Sequence, residues 1–303
     1  MTERPTGPSY RDLVAERIDV PPDPAILSID LEEYYNYVPW AEENVEQQGI
    51  PRRVHETLPR LLDLLDAHGV QATFFVLASI LGNVEPHLVR MRDAGHEIAC
   101  HGWSHKRVHQ MTPEAFRDDI RRSRDAIQAA TGVRPRGYRA PSFSMSAETA
   151  WAFDVLRDEG FTYDSSVAPL ENFFYGGVAD APFWPHRLRN GLAEFPMPVY
   201  KFGPLRTLIG GGFYLRLFPP VVNRYLLWRY GRRWRCPPVI YFHPWEFDDA
   251  KYNLWDLGAD HPMLAERGRL MKWITTYNRR RAFKRFDRLL DTRRWTTFRE
   301  VLA

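Results

Sequence analysis

A chain of 303 residues that is 44% hydrophobic and 26% charged is long enough for one large core and too apolar to be disordered. Its 41 basic and 38 acidic residues leave a formal charge of +3, which excludes a surface built throughout to grip a polyanion, so any basic patch is local. The two cysteines, Cys100 and Cys236, exclude a disulfide framework and a zinc-finger spacing and point to a reducing compartment.

No stretch reaches the roughly 20 apolar residues of a membrane span, and Met1 to Tyr10 is polar without a signal-peptide core, so a cytoplasmic chain is expected. Residues 1–24 close on Val20-Pro21-Pro22-Asp23-Pro24, which suits neither helix nor central strand and predicts an N-terminal arm ahead of one domain, 25–303. Ala25 to Ile29 reads as a strand ending at Asp30. Leu58, Leu61, Leu62 and Leu65 mark a helix that stops before Gly69. Ala72 to Leu77 is a continuous apolar run, as in a strand buried on both faces. A helix from about Pro86 to Ala94 follows, then a strand from Glu97 to Cys100 that runs into His101.

Thr112-Pro113-Glu114 starts a helix with Phe116, Ile120 and Ile127 on one face and Gly132 at its end. A strand is expected near Gly137 to Arg139, a helix capped by Ser146 and carrying Trp151 to Leu156, and a strand from Phe161 to Ser165. Such alternation with short connections requires parallel strands in a barrel or a doubly wound sheet. Polar residues follow the strands at Asp30, His101, Arg139 and Asp164, where a barrel gathers its active site, which favours the barrel. The rhythm breaks over about 168–220, read as a pocket-shaping insertion. Val239 to Phe242 is a late strand ending at His243, and Trp295 to Leu302 is read as the last.

His101-Gly-Trp-Ser-His105 sets two imidazoles four residues apart directly after a strand, a spacing that lets both rings hold one divalent ion. In Asp30-Leu-Glu-Glu33 the extended backbone puts Asp30 and Glu32 on one face, so Glu32 is the expected third ligand and a bulge would hand that role to Glu33. Two histidines and a carboxylate with open positions suit hydrolytic metal chemistry, most readily with zinc, beside a second carboxylate acting as base. Cys100 reads as a small core residue, and His55, His68, His87, His96, His109, His186 and His261 as surface or core.

These residues resemble the polysaccharide deacetylases of the NodB homology type, over about Ile26 to His243. Five motifs match in order: Ser28-Ile29-Asp30-Leu31-Glu32-Glu33, Gly95-His96-Glu97-Ile98-Ala99-Cys100-His101-Gly102-Trp103-Ser104-His105, Arg139-Ala140-Pro141, Tyr163-Asp164-Ser165-Ser166 and Ile240-Tyr241-Phe242-His243. The Phe242-His-Pro-Trp-Glu-Phe247 run, Glu194-Phe195-Pro196 and Gly210 to Pro219 resemble a subgroup associated with bacterial exopolysaccharide production, with a C-terminal extension, here about 244–303.

The resemblance implies a distorted (β/α)7 barrel that removes N-acetyl groups from a saccharide with the help of a divalent metal. It implies Asp30 as general base, His101 and His105 as ligands, and Arg139 paired with Asp30. The Ser142 amide would bind the oxyanion, and His243, oriented by Asp164, would protonate the leaving amine. Trp245, with Phe213, Tyr214, Phe173, Phe174 and Tyr175, could stack on sugar faces. The first motif departs from the usual adjacent aspartates, because Leu31 stands where many members have the ligand aspartate.

A metal-free hydrolase of cyclic amides or ureides is the alternative, opposed by the intact His101/His105 pair; a non-catalytic glycan binder is opposed by Asp30 and His243 together. Residues 279–294 form a basic amphipathic helix that either packs by its rings or contacts an anionic membrane or lipid-linked glycan. No nucleic-acid module accompanies it.

Overall fold

The computed structural model describes residues 9–36, 51–170, 177–203, 205–248, 269–270 and 272–303. Its strands are β1 (Val14–Arg17), β2 (Ala25–Leu31), β3 (Thr73–Val76), β4 (Glu97–Cys100), β5 (Gly137–Tyr138) and β6 (Tyr163–Asp164), followed by β7 (His186–Leu188), β8 (Ala193–Glu194), β9 (Val199–Phe202), β10 (Leu205–Leu208), β11 (Val239–Phe242) and β12 (Trp295–Thr296). The main sheet runs β1-β7-β8-β6-β5-β4-β3-β2-β11, and every pairing from β8 to β11 is parallel. These are the seven parallel strands expected of a (β/α)7 barrel.

No strand ladder joins the edges β8 and β11 among the described residues. Ile209 to Gly211 spans the gap instead: the Ile209 N–H donates to Pro198 O at 3.0 Å, and the Tyr241 N–H to Gly210 O at 2.9 Å. That close approach accounts for the Gly210-Gly211-Gly212 run. A Cβ at Gly210 would lie 2.4 Å from Val239 O, one at Gly211 2.7 Å from the Tyr241 ring, and one at Gly212 2.1 Å from Glu246 Oε1.

Alternation along the strands sorts the core into two. Leu27, Ile29, Phe74, Val76, Ile98 and Cys100 face the surrounding helices. Ile26, Phe75, Ala99, Tyr163, Phe195 and Tyr241 face inward and fill the barrel. The outer layer begins with α1 (Val54–Ala67), α2 (Leu81–Asp93), α3 (Pro113–Thr131) and α4 (Trp151–Asp158). Helix α1 buries the four expected leucines; α3 has Thr112 accepting from the Ala115 N–H and ends on a left-handed Gly132. Helix α2 starts five residues before Pro86, and Ser146 caps a turn with Thr149 ahead of α4 rather than α4 itself.

Later come α5 (Gly212–Leu217), α6 (Pro220–Trp234), α7 (Ala282–Leu290) and α8 (Phe298–Val301). Helix α8 corrects the expected strand over Trp295 to Leu302, of which only Trp295–Thr296 pairs, with β2. Thr297 and Glu300 form a capping box that turns the chain into a helix before the alternation can continue. Phe298 then enters the barrel interior, 5.6 Å from the Phe75 ring, 5.0 Å from Tyr163 and 5.2 Å from Phe195.

Two boundaries also change, and the basic helix takes the first of its two expected readings. The N-terminal arm is in part structural, because β1 pairs antiparallel with β7 and Tyr10 is buried, its hydroxyl 3.0 Å from His186 Nε2. The expected insertion contains β8, a strand of the barrel itself. The basic helix has no free apolar face: Phe286 and Leu290 are buried, Phe286 lies 4.6 Å from Phe242, and Arg285 donates to the Leu215 and Phe218 carbonyls.

Candidate metal centre

Parallel strands carry successive inward side chains up to their C-terminal ends, and that is where the polar residues meet. In β2 the inward face runs Ile26, Ser28, Asp30, and the next residue on it is Glu32. Glu32, His101 and His105 bring one ligand atom each to within 4.8 Å of one another. His105 Nε2 stands 2.6 Å from Glu32 Oε2, and His101 Nε2 3.6 Å from it. Although buried, Glu32 Oε2 receives no hydrogen bond of acceptable geometry.

Burial opposes charge on Glu32, yet the His105, His101 and His243 imidazoles hold its carboxyl well below the usual range. His101 Nδ1 lies 2.8 Å from Arg139 O, a contact in which Nδ1–H donates and Nε2 keeps its lone pair. A buried, orphaned carboxylate oxygen and imidazole nitrogens converging on one point fit a divalent cation. Glu33 turns away, accepting from the Arg53 and Val54 N–H groups to cap α1.

The loop carrying the histidines is tied to α3. Asp119 accepts from the Trp103 N–H at 2.8 Å, the Ser104 N–H at 3.1 Å and the Ser104 hydroxyl at 2.6 Å. Gly102 sits at φ +80 with room for a Cβ only 3.0 Å from Asp119, and His105 is itself left-handed at φ 52. Nothing in the sequence marks Asp119, which stands among the polar residues of an amphipathic helix.

Arg139 is fully buried and donates to Asp30 Oδ1 at 2.6 Å and Ser28 Oγ at 3.0 Å, while its Nε donates to Ser165 O. Its guanidinium lies 4.1 Å above the Phe75 ring, so an inward arginine is both paired and stacked. His243 Nε2 is 3.9 Å from Asp30 Oδ2 and 3.6 Å from Glu32 Oε1, which puts the expected base and acid side by side at one cleft. Ser142 lines the same cleft, in a turn where Ser142 and Phe143 are left-handed at φ 55 and 50.

Two expected roles do not survive the geometry. Asp164 is not beside His243. It follows the inward-facing Tyr163, so it points out of the barrel, where it accepts from Ser166 Oγ at 2.5 Å and sits opposite Glu194. The partner of His243 Nδ1 is Glu246, at 2.9 Å, which Arg216 Nε holds in turn at 2.9 Å. Burial works against charge on His243, but the Glu246 hydrogen bond, with Glu32 and Asp30, raises it to about 9. Sequence reasoning missed this pair although Glu246 stands in the Phe242 to Phe247 run.

Trp245 is buried and stacked on His243 at 4.9 Å, so it supports the imidazole and offers no open face to a sugar. Phe213 and Tyr214 are half-buried against each other, while Phe173, Phe174, Tyr175 and His261 lie outside the described residues. Cys100 is buried beside Ser123, and burial pushes its thiol up to about 11, as suits a core residue.

A parallel α/β barrel with a carboxylate and two histidines at the C-terminal ends of its strands defines a class of metal-dependent hydrolase-like folds. Residues 49–163, which supply both histidines and Arg139, match the model of the polysaccharide deacetylase family. Residues 165–303 match a domain of unknown function, DUF3473. The chain is 34% identical over 110 residues to a peptidoglycan deacetylase of Helicobacter pylori, covering 36% of each protein. It is 38% identical over 100 residues to a chitooligosaccharide deacetylase of Bradyrhizobium, covering 32% of this chain and 42% of that one. The chain thus spans less than half the length of these relatives. A crystal structure of a Mycobacterium smegmatis protein assigned to the polysaccharide deacetylases shares the fold, with a TM-score of 0.53 at 23% identity over 76% of this chain and 81% of that one.

Proposed function

We propose that the chain is a metal-dependent hydrolase that removes N-acetyl groups from an amino-sugar-containing saccharide. The observation that carries this reading is the convergence of Glu32, His101 and His105 beside Asp30 and His243 in one cleft. The names of the deacetylase relatives support the substrate class, an N-acetylated glycan. A divalent ion, with zinc the first choice for histidine and carboxylate ligands, would supply polarisation of the amide carbonyl and a water acidified towards neutrality.

The chain's own residues do the rest. Arg139 fixes Asp30, whose free oxygen faces the cleft to take the proton of the attacking water. Ser142 lines the same cleft, and its backbone N–H is assigned the oxyanion. His243, kept cationic by Glu246, gives its proton to the departing amine, which leaves poorly as an anion. Motifs shared with the exopolysaccharide subgroup support a role in cell-surface or exopolysaccharide synthesis, and two unpaired buried thiols support a reducing, cytoplasmic setting.

The test is acetate release from a panel of N-acetylated oligosaccharides by metal-depleted and metal-restored protein. Release that depends on restoring the metal supports the reading. Release that is indifferent to metal favours the cyclic-amide type of chemistry, and metal binding with no release from any substrate favours a glycan-binding role.

A further inference from the structure

Between Glu194 and Glu246 the sequence contains no acidic residue. Within that stretch α6 turns Val221, Arg224, Tyr225, Trp228, Arg229, Arg232 and Arg233 outward, while Asn223, Leu226, Leu227 and Tyr230 are buried. Val221 is 70% exposed, Tyr225 50% and Trp228 53%. These three recur at intervals of four and three residues, so they form one stripe along the helix, flanked on both sides by arginines.

The stripe continues beyond the helix. The β9–β10 hairpin packs beside α6 and exposes Phe202 at 45% and Leu205 at 64%. The Arg229 guanidinium interacts with both the Tyr200 and Tyr225 hydroxyls, and the Tyr200 ring lies 4.8 Å from Phe202, so hairpin and helix share one surface. Five of the seven strongly exposed large hydrophobic residues among those described fall on it. Val221, Tyr225 and Trp228 also border a groove of about 1400 Å³ that carries Arg224, Arg232, Arg235, Arg293 and Arg294 against Asp23 and Asp291. That groove reaches the residues that lead into β2, β11 and β12, the end of the barrel opposite Asp30 and His243.

We propose that this face docks the protein on an anionic lipid bilayer. A stripe of valine, tyrosine, tryptophan, phenylalanine and leucine set among arginines has the chemistry of an interfacial helix, with rings at headgroup depth and guanidinium groups on lipid phosphates. A soluble anion would use the arginines and leave the apolar side chains in water; a bilayer uses both. Helix α7 cannot serve in this way because its rings are spent on the core. Docked through α6 and the hairpin, the protein turns the metal cleft away from the lipid and towards the aqueous phase.

The experiment is co-sedimentation of the full chain with vesicles of phosphatidylcholine alone and with about one third phosphatidylglycerol, at low and high salt. It needs no catalytic activity, so its failure is distinct from failure of the deacetylase reading. Binding to the anionic vesicles only, weakened by salt, is expected. Trp228→Ser with Tyr225→Ser, and separately Arg229→Glu with Arg232→Glu, should each lower that binding at least ~10-fold while unfolding at the parent temperature. Absence of binding, equal binding to neutral vesicles, or full binding by either variant overturns the proposal. Capture by a soluble sulfated polysaccharide without capture by vesicles overturns it in favour of an anionic glycan.

Discussion

The proposed acid, His243, can give up a proton only while it holds one, and its Nδ1 is bonded to a carboxylate that Arg216 holds in turn. With the imidazole raised to about 9, activity that needs the acid should be lost as pH rises through that region. Glu246→Gln removes the largest raising influence, so the alkaline limb of kcat against pH should move to lower pH, which a pH profile reads directly. Asp30→Asn and His243→Ala should each reduce kcat at least ~10²-fold with metal still bound, measured as acetate release and metal content. Asp164 makes a different contribution. Burial raises its carboxyl to about 6 against the usual 3.8, and burial with the Asp164 charge raises Glu194 well above its usual range. One oxygen of each finds no other partner, as fits a shared proton. Both pKa values are higher in the folded chain, so the folded state holds protons more tightly and stability falls as pH rises from about 4 through about 6. Asp164→Asn should flatten this part of the wild-type profile of Tm against pH. An unchanged slope would remove the pair from the account.

At the level of elements, the site depends on how strands end and what backs them. Alternation from Asp30 to Glu32 was legible because period two survives to the end of β2, and the same rule sends Glu33 away to cap α1. The motif at 101–105 was legible too, but its anchor on Asp119 was not, since a helix surface carries many aspartates and only the fold shows which one faces a loop. Asp164 was misplaced for the converse reason: a familiar motif suggested a partner, whereas the inward side chain of Tyr163 fixes its neighbour outward. The three glycines at 210–212 fell within the expected pocket-shaping insertion, whereas in the structure they mark a seam of the barrel. Gly212 clears space for a carboxylate pinned by two partners. Gly212→Ala should therefore displace Glu246 and shift the alkaline limb in the same direction as Glu246→Gln, with little loss of metal. A profile identical to wild type would show that the seam tolerates a methyl group.

Across the whole molecule, six of the seven parallel strands were legible as apolar runs, while the sixth in chain order, β8, was hidden in a segment rich in proline and glycine. Residues 1–24 were read as an arm because a short polar stretch carries little periodicity, and 295–302 as a strand because the capping box that starts α8 was not recognised. In the structure both ends are built into the fold: β1 extends the sheet, and α8 sends Phe298 into the barrel interior, where the Arg299 N–H meets Glu97 at 2.9 Å. Phe298→Ala should cost about 3–5 kcal/mol by leaving a cavity among Phe75, Tyr163 and Phe195, measured by denaturant unfolding, whereas an appendage would lose almost nothing. The central claim is that strand ends brought together from distant parts of the sequence make one metal centre. It is tested most directly by elemental analysis of the wild type and of His101→Ala with His105→Ala, each depleted and then equilibrated with zinc. One equivalent in the wild type and none in the folded double variant is the expected result; one equivalent retained by the double variant would contradict it.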